Sequence, residues 1–570
     1  MDNKQSTMRI TKTEARAPKA MVATKDKLAT LAGLEILEAG GNAIDAAIAA
    51  CLAVGVVEPT SAGIGGGGYL VYQVGGKGGT IGFPPRAPLA AKADMYKLTG
   101  ESAVAWFGWP GVEGNANLEG PLSVGTPGTA AGLCEAHRRY GRIPLSEVVK
   151  PAVRLAREGF APHWFNLYAI GLEAGKLGRY KDLRNAFLPG DEMPLGDLAN
   201  PPRFKQPGLA DTLEAMGKGG HDAFYKGDVG KAIVRDVQAQ GGILTERDLA
   251  EYRPFVWEPG LEITYRGRTV RAAPFGAAGI VTAMTLKTLE GFDVNKLGHN
   301  SVDMLHAFIC STRLAYADRF EYMTDPEVAD VPWNGMVSEA YLAKRRALIK
   351  DKAPARFEPG DPWVEEGRRP KTTFTASRPG YDDGTTHLCV IDGDGNAVSL
   401  TNTIGGGLGA GIVPKGTGIV MNAAMMWFDP RPGRLNSIRP GMWPLNNAAP
   451  AMVLDKGRAI VAVGATGGRR ITNCVAQLII NTLDYGMGPQ EAIDTPRVDC
   501  SSPETSVDPR LSQDVKRGLE KKGHKLREMT DEYPPTGFWP FASPAAIVRN
   551  SDGSLSGGVH TFHSAHAGGL

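Results

Sequence analysis

With 570 residues, 42% hydrophobic and 22% charged, the chain has the composition of a folded globular protein with a large core, as one α/β domain or several. Its 63 basic and 61 acidic residues leave a formal charge of only +2, which excludes a global field for nucleic acid or an anionic membrane and points to a small-molecule partner. Six cysteines (Cys51, Cys134, Cys310, Cys389, Cys474, Cys500) lie scattered without a C-x-x-C pair, against a zinc ribbon or a disulfide framework.

The opening "MDNKQSTMRITKTEARAPKAM" carries charges but no apolar h-region, so no secretory signal is expected within it. The cytoplasm is the default compartment, with the periplasm or the exterior as the alternative if a signal has been removed. "DKLATLAGLEILEAGGNAIDAAIAACLAVGVVEP" then places apolar residues at helical spacing, which predicts two helices parted at Gly40-Gly41 and closed at Pro59. Its apolar run, 43–57, includes Asp45 and is shorter than the roughly 20 residues that cross a bilayer, so it reads as a buried helix.

"SAGIGGGGYLVYQVGG" gives a glycine turn followed by a strand, and "GGTIGF" begins another. "GIGGGG" formally satisfies G-x-G-x-x-G, but a dinucleotide fingerprint needs a strand before it and a helix after it. Here the order is reversed, which predicts a tight buried turn. The middle third is helical, as in "TPGTAAGLCEAHRRYG", "PLSEVVKPAVRLAREG" and "SVDMLHAFICSTRLAYADRFEYM". From about 340 to 384, Pro, Gly and charge dominate, and the expectation is a long exposed connection. Strands are expected again at 387–392, 397–403, 451–454 and 459–463, then a helix at 470–484 after "GATGG". Together these elements fit a layered α/β fold.

Two metal-like patterns are weak. "DGDGNA" (392–397) starts like an EF-hand loop, but its sixth position is Ala397 and its twelfth is Thr403 in place of Glu, so it reads as a hairpin turn. His560, His563 and His566 stand three apart without a carboxylate, which favours a hydrated tail over a metal site.

The hairpin carries the chemistry. A three-residue loop closed by Asp392 and Asn396 sets a register in which Thr385 lies opposite Thr403, with Cβ atoms about 4.5–5.5 Å apart. A two-residue loop would shift that register by one, and a plain Thr–Thr pair in a sheet is the common structural use of such a geometry. A threonine whose α-amino group is free, however, carries its own base, with a pKa near 7.7–8.0 suited to proton transfer. Freeing it requires cleavage of the Gly384-Thr385 bond, where glycine offers least opposition to attack by the Thr385 hydroxyl on the preceding carbonyl.

"GTTHLCVIDGDGNAVSLTNT" resembles the processing-site segment of γ-glutamyltranspeptidases, which are N-terminal nucleophile (Ntn) hydrolases. "GLEILEAGGNAIDAAIAACLAVGVVEPTSAGIGGGGYLVY", "TPGTAAGLCEAHRRYGRIPL", "FYKGDVGKAIVRDVQAQGGILTERDLAEYRP" and "GATGGRRI" extend the resemblance over nearly the whole chain. It implies an αββα four-layer sandwich, made as one precursor and cut into associated pieces 1–384 and 385–570 of a single globular domain. Thr385 would be the nucleophile, Thr403 its hydroxyl partner, and Gly467-Gly468 the donors to the oxyanion. No cofactor and no metal are implied; the partners would be a small-molecule amide and water or an amine acceptor.

Departures from the family pattern fall on recognition. Where the family reads the glutamyl head group with an arginine in F-R-E-x-A-P, this chain has "FPPRAP", with Pro84 at that place and Arg86 displaced by two. The acidic pair of N-N-E-M-D-D-F is replaced by Ala424 and Trp427, the serine pair by Asn446-Asn447, and the asparagine after the second threonine by Gly405. Met425, Met426, Trp427 and Phe428 suggest an apolar acyl site or, equally, core. The expected activity is therefore amide hydrolysis or acyl transfer with an acyl group other than γ-glutamate. A γ-glutamyltransferase or glutathione hydrolase with a rearranged pocket is the alternative, and a non-catalytic paralogue the third.

Overall fold

The computed structural model describes residues 10–100, 109–196, 199–371, 374–376, 385–529 and 541–570. Alternation along its strands sorts apolar side chains into three layers. In the strand Gly67–Val74, Leu70 and Tyr72 pack against helices on one face, while Tyr69 and Val71 enter the space between two sheets. In the facing sheet Val453, Val461 and Val463 meet a second helical layer, and Met452, Leu454 and Ala462 point inward. Period-two patterning of this kind, buried on both faces, stacks helix, sheet, sheet and helix.

Both large sheets have seven strands. One runs Ala15–Ala17, Leu555–Val559, Ser543–Arg549, Arg458–Thr466, Ala451–Asp455, Arg268–Ala272, Leu261–Tyr265. The other runs His566–Gly569, Met21–Thr24, Thr386–Ile391, Ala397–Thr403, Gly67–Val74, Lys77–Phe83, Phe255–Trp257. Every pairing between neighbours in these two sheets is antiparallel.

The expected helix pair forms at Lys27–Glu38 and Ala43–Val57, and all fifteen residues of the second are buried. Asp45, anomalous in an apolar run, belongs to a capping box. Its Oδ2 accepts the Asn42 N–H at 3.0 Å while the Asn42 side chain accepts from Ile44 and Asp45. Among the described helices none is long and apolar enough to cross a membrane.

The four glycines at 65–68 answer to space. A Cβ built on Gly65 would lie 2.3 Å from the Val420 carbonyl oxygen, on Gly66 2.1 Å from that of Thr403, on Gly67 2.5 Å from that of Phe83, and on Gly68 2.1 Å from that of Thr401. Each obstacle is backbone, so no rotamer relieves it. Gly66→Ala should therefore destabilise the protein by about 1–3 kcal/mol and displace Thr403, seen as a lower melting temperature together with reduced turnover; an unchanged melt would contradict the packing described.

Two expectations need correction. The stretch expected as a long exposed connection is partly folded. Glu339–Arg346 and Trp363–Glu366 are helical, and Trp363 is only 5% exposed. Apolar anchors within a Pro- and charge-rich segment outweigh its composition. The C-terminal histidines do not form a hydrated tail either. His560 and His563 are buried, and His566–Gly569 adds an edge strand antiparallel to Met21–Thr24. Burial holds both His560 and His563 well below the usual imidazole range.

Candidate active site

The hairpin has the register that the three-residue loop requires, from Thr386 opposite Asn402 to Ile391 opposite Ala397. The Asp392 N–H donates to the Asn396 carbonyl at 3.0 Å, and Asp392 Oδ1 accepts the N–H groups of Asp394 and Asn396 at 3.0 and 2.9 Å. This is a turn that occupies its own carboxylate. At the open end, the Thr385 and Thr403 hydroxyl oxygens stand 3.5 Å apart, both residues buried at 8% and 2% exposure. Thr403 Oγ1 accepts both the Thr385 hydroxyl and the Gly405 N–H, the latter at 3.0 Å. Gly384, the other half of the expected cleavage bond, lies outside the described residues.

Thr385 and Thr403 share parity with His387, Cys389, Ser399 and Thr401, whose side chains face the other sheet. The Ser399 hydroxyl donates to the Val463 carbonyl at 3.0 Å, and His387 fills the space over Gly464. Arg458–Thr466 therefore runs alongside Ala397–Thr403 in the same sense, and Gly467-Gly468 emerges at the Thr385 end. These glycines, at φ +126° and +60°, turn the strand into the helix Arg470–Leu483. Positive φ at both is a backbone conformation that favours glycine at this strand-to-helix turn. Arg470 Nε donates to the Gly467 carbonyl at 2.9 Å. Burial pushes nearby Asp499 up to about 6, against the opposing charge of Arg470.

Asn446 and Asn447 are buried beside the long helix Val302–Tyr322. Arg319, fully buried on that helix, donates from Nη1 to Asn447 Oδ1 at 2.9 Å and from Nη2 to the Asn446 carbonyl at 2.5 Å. Sequence reasoning missed Arg319, because one arginine in a helical pattern reads as a solvated face. Met425 and Phe428 pack in a satellite core with Tyr96 and Met442, and Trp427 joins the main helical core. Met426 reaches the threonine loop, with Sδ 2.9 Å from where a Gly405 Cβ would stand; Gly405 itself is at φ +91°. Arg86 stacks its guanidinium 4.6 Å over Trp443 and lies 3.9 Å from Glu327. The structure thus brings Thr385, Thr403, Gly405 and the 467–468 turn to one end of the facing sheets, while the Arg86 guanidinium is held by Trp443 and Glu327 and Trp427 packs in the main helical core.

Two antiparallel sheets facing each other between helical layers, with a threonine heading a strand of one, define an Ntn-hydrolase fold. The family model for Gamma-glutamyltranspeptidase matches residues 29–560. The chain is 35% identical, over 96% of its length and 92% of the relative's, to the Acylase ACY 1 proenzyme of Pseudomonas sp. (strain SE83). It is 34% identical, over 90% and 86%, to the Glutathione hydrolase proenzyme of Escherichia coli (strain K12). Cephalosporin acylase from Bacillus halodurans superposes with a TM-score of 0.85 at 29% identity, covering 100% of this chain and 99% of that one. The chain belongs to the gamma-glutamyltranspeptidase family.

Proposed function

We propose that the protein is a self-processing amidohydrolase or acyltransferase that cleaves a small-molecule amide through an acyl ester on Thr385, with an acyl group other than free γ-glutamate. The observation that carries this reading is the Thr385–Thr403 hydroxyl pair at the head of the hairpin, in a chain whose relatives bear the name proenzyme. In processing, Thr385 Oγ bonds to the Gly384 carbonyl carbon as the C–N bond breaks. Water then cleaves the resulting ester, leaving a carboxylate on Gly384 and a free amine on Thr385. In turnover that amine takes the hydroxyl proton as Oγ attacks the substrate carbonyl, and returns it to the departing amine. The Gly467 and Gly468 N–H groups meet the oxyanion of the tetrahedral intermediate. Water or a second amine removes the acyl group.

Overall identity does not separate the acylase from the glutathione hydrolase, at 35% and 34%. The pocket does. With Pro84, Ala424 and Asn446-Asn447 at the recognition positions, a glutamyl ammonium and carboxylate would be buried short of charged partners. Met426 beneath Gly405 offers an apolar wall. An apolar or aromatic acyl amide should be turned over with a kcat/KM at least about 100-fold above that of a γ-glutamyl anilide. Comparable values for the two would overturn the acyl-group reading and favour a γ-glutamyltransferase with a rearranged pocket.

A further inference from the structure

One buried ion pair stands directly behind the threonine. The strand Met21–Thr24 pairs with Thr386–Ile391 through Met21–Ile391, Val22–Val390 and Ala23–Cys389, and then stops. The Thr385 carbonyl on that edge lies beyond its end, and Lys25 Nζ donates to it at 3.3 Å. Lys25 also lies 3.5 Å from Ser61 Oγ, and the Ser61 carbonyl accepts the Ile404 N–H, so the same lysine is tied to the residue after Thr403.

Its counter-ion is Glu58, at the end of the helix Ala43–Val57, 3.4 Å away, with side-chain exposures of 8% for Lys25 and 1% for Glu58. Neither Glu58 oxygen makes a hydrogen bond among the described residues. Burial pushes Glu58 up to about 7 against the pull of Lys25, so the lysine's charge is only partly offset at neutral pH. A buried pair with so little hydrogen bonding carries a desolvation penalty that stability alone does not explain. Among the described residues, its hydrogen bond to the reacting strand goes to the carbonyl of the residue that bears the hydroxyl.

We propose that the Lys25–Glu58 pair positions and electrostatically tunes the nucleophile: Lys25 fixes the Thr385 carbonyl, and its charge, moderated by Glu58, keeps the α-amine freed at Thr385 in the unprotonated form that accepts the hydroxyl proton. The inference rests on the nucleophile reading above. The amine is two bonds from the carbonyl carbon that Lys25 holds, and a like charge so near disfavours the ammonium. The other ionisable groups facing the pair are Asp26 and His163, 3.4 Å from each other, together with Lys12, His560 and His563. His560 and His563 stay neutral at working pH, and burial brings Lys12 down to about 8. The substitutions below leave these residues in place; Lys25 adds only a part to the lowering of His560 and His563, which burial dominates.

The test is the pH profile of kcat/KM for the processed full-length enzyme with an acyl amide, in the wild type, Lys25→Met, Lys25→Arg and Glu58→Gln. Removing the lysine charge should move the acid limb up by about one pH unit, and removing the glutamate charge should move it down. Lys25→Arg should keep the wild-type limb. A role in packing alone would lower activity without opposite shifts, so limbs that stay in place or move together overturn the proposal. If Lys25→Met does not fold or process, the downward shift in Glu58→Gln decides alone. Activity retained in Thr385→Ala would remove the nucleophile reading itself, whereas an inactive Thr385→Ala with unmoved limbs removes only the role of the pair.

Discussion

Replacing Thr385 with alanine should leave the protein as a single full-length band on a denaturing gel and lower amide turnover by roughly 10^4- to 10^6-fold. The prediction is severe because one hydroxyl has two tasks. In the proposed mechanism it attacks the Gly384 carbonyl during processing and the substrate carbonyl during catalysis, and Thr403, whose hydroxyl is 3.5 Å away, cannot substitute for it. Thr403 sits in mid-chain and has no amine of its own to free. Thr385→Ser retains an attacking oxygen and should still give two fragments. Two fragments in Thr385→Ala, or turnover within tenfold of wild type, would refute the assignment.

The second large effect is expected at Gly467. At φ +126° this residue occupies backbone space that L side chains rarely adopt, and an added Cβ would meet the Ala542 backbone at 3.1 Å. Gly467→Ala should swing its N–H away from the oxyanion position and lower kcat by about 10^2- to 10^3-fold, with a much smaller change in KM. That split identifies a donor used in the transition state. A raised KM with kcat intact would instead place Gly467 in ground-state binding.

Much of this arrangement was legible in the residues. Turn chemistry in "DGDGN" set the hairpin register, and with it the facing of Thr385 and Thr403, because a side-chain period of two leaves no other pairing once the loop length is known. The glycine run read as a tight turn; the turn falls at Gly65–Gly66, Gly67 and Gly68 open the strand, and all four lie against backbone oxygens. Lys25 and Glu58 were not legible. They come from the end of a strand and the end of a helix, far apart in sequence, and each alone reads as a solvated charge. Arg319 was hidden in the same way, since only tertiary packing turns it toward Asn446 and Asn447. Composition misjudged both the 340–371 stretch and the C-terminal histidines, because a few buried anchors such as Trp363 and a strand partner such as Met21–Thr24 decide burial where an average cannot.

The edge strand His566–Gly569 has a further consequence once the chain is cut before Thr385. Met21–Thr24, from the first fragment, is then clasped between two strands of the second, His566–Gly569 on one side and Thr386–Ile391 on the other. In the facing sheet the order is reversed, with four strands of the second fragment flanked at both edges by strands of the first. The two products are woven through each other like the fingers of folded hands. Losing one peptide bond opens no seam along which they could part; to separate, they would have to unravel both sheets, so the mature molecule would be two polypeptides that share one unfolding transition.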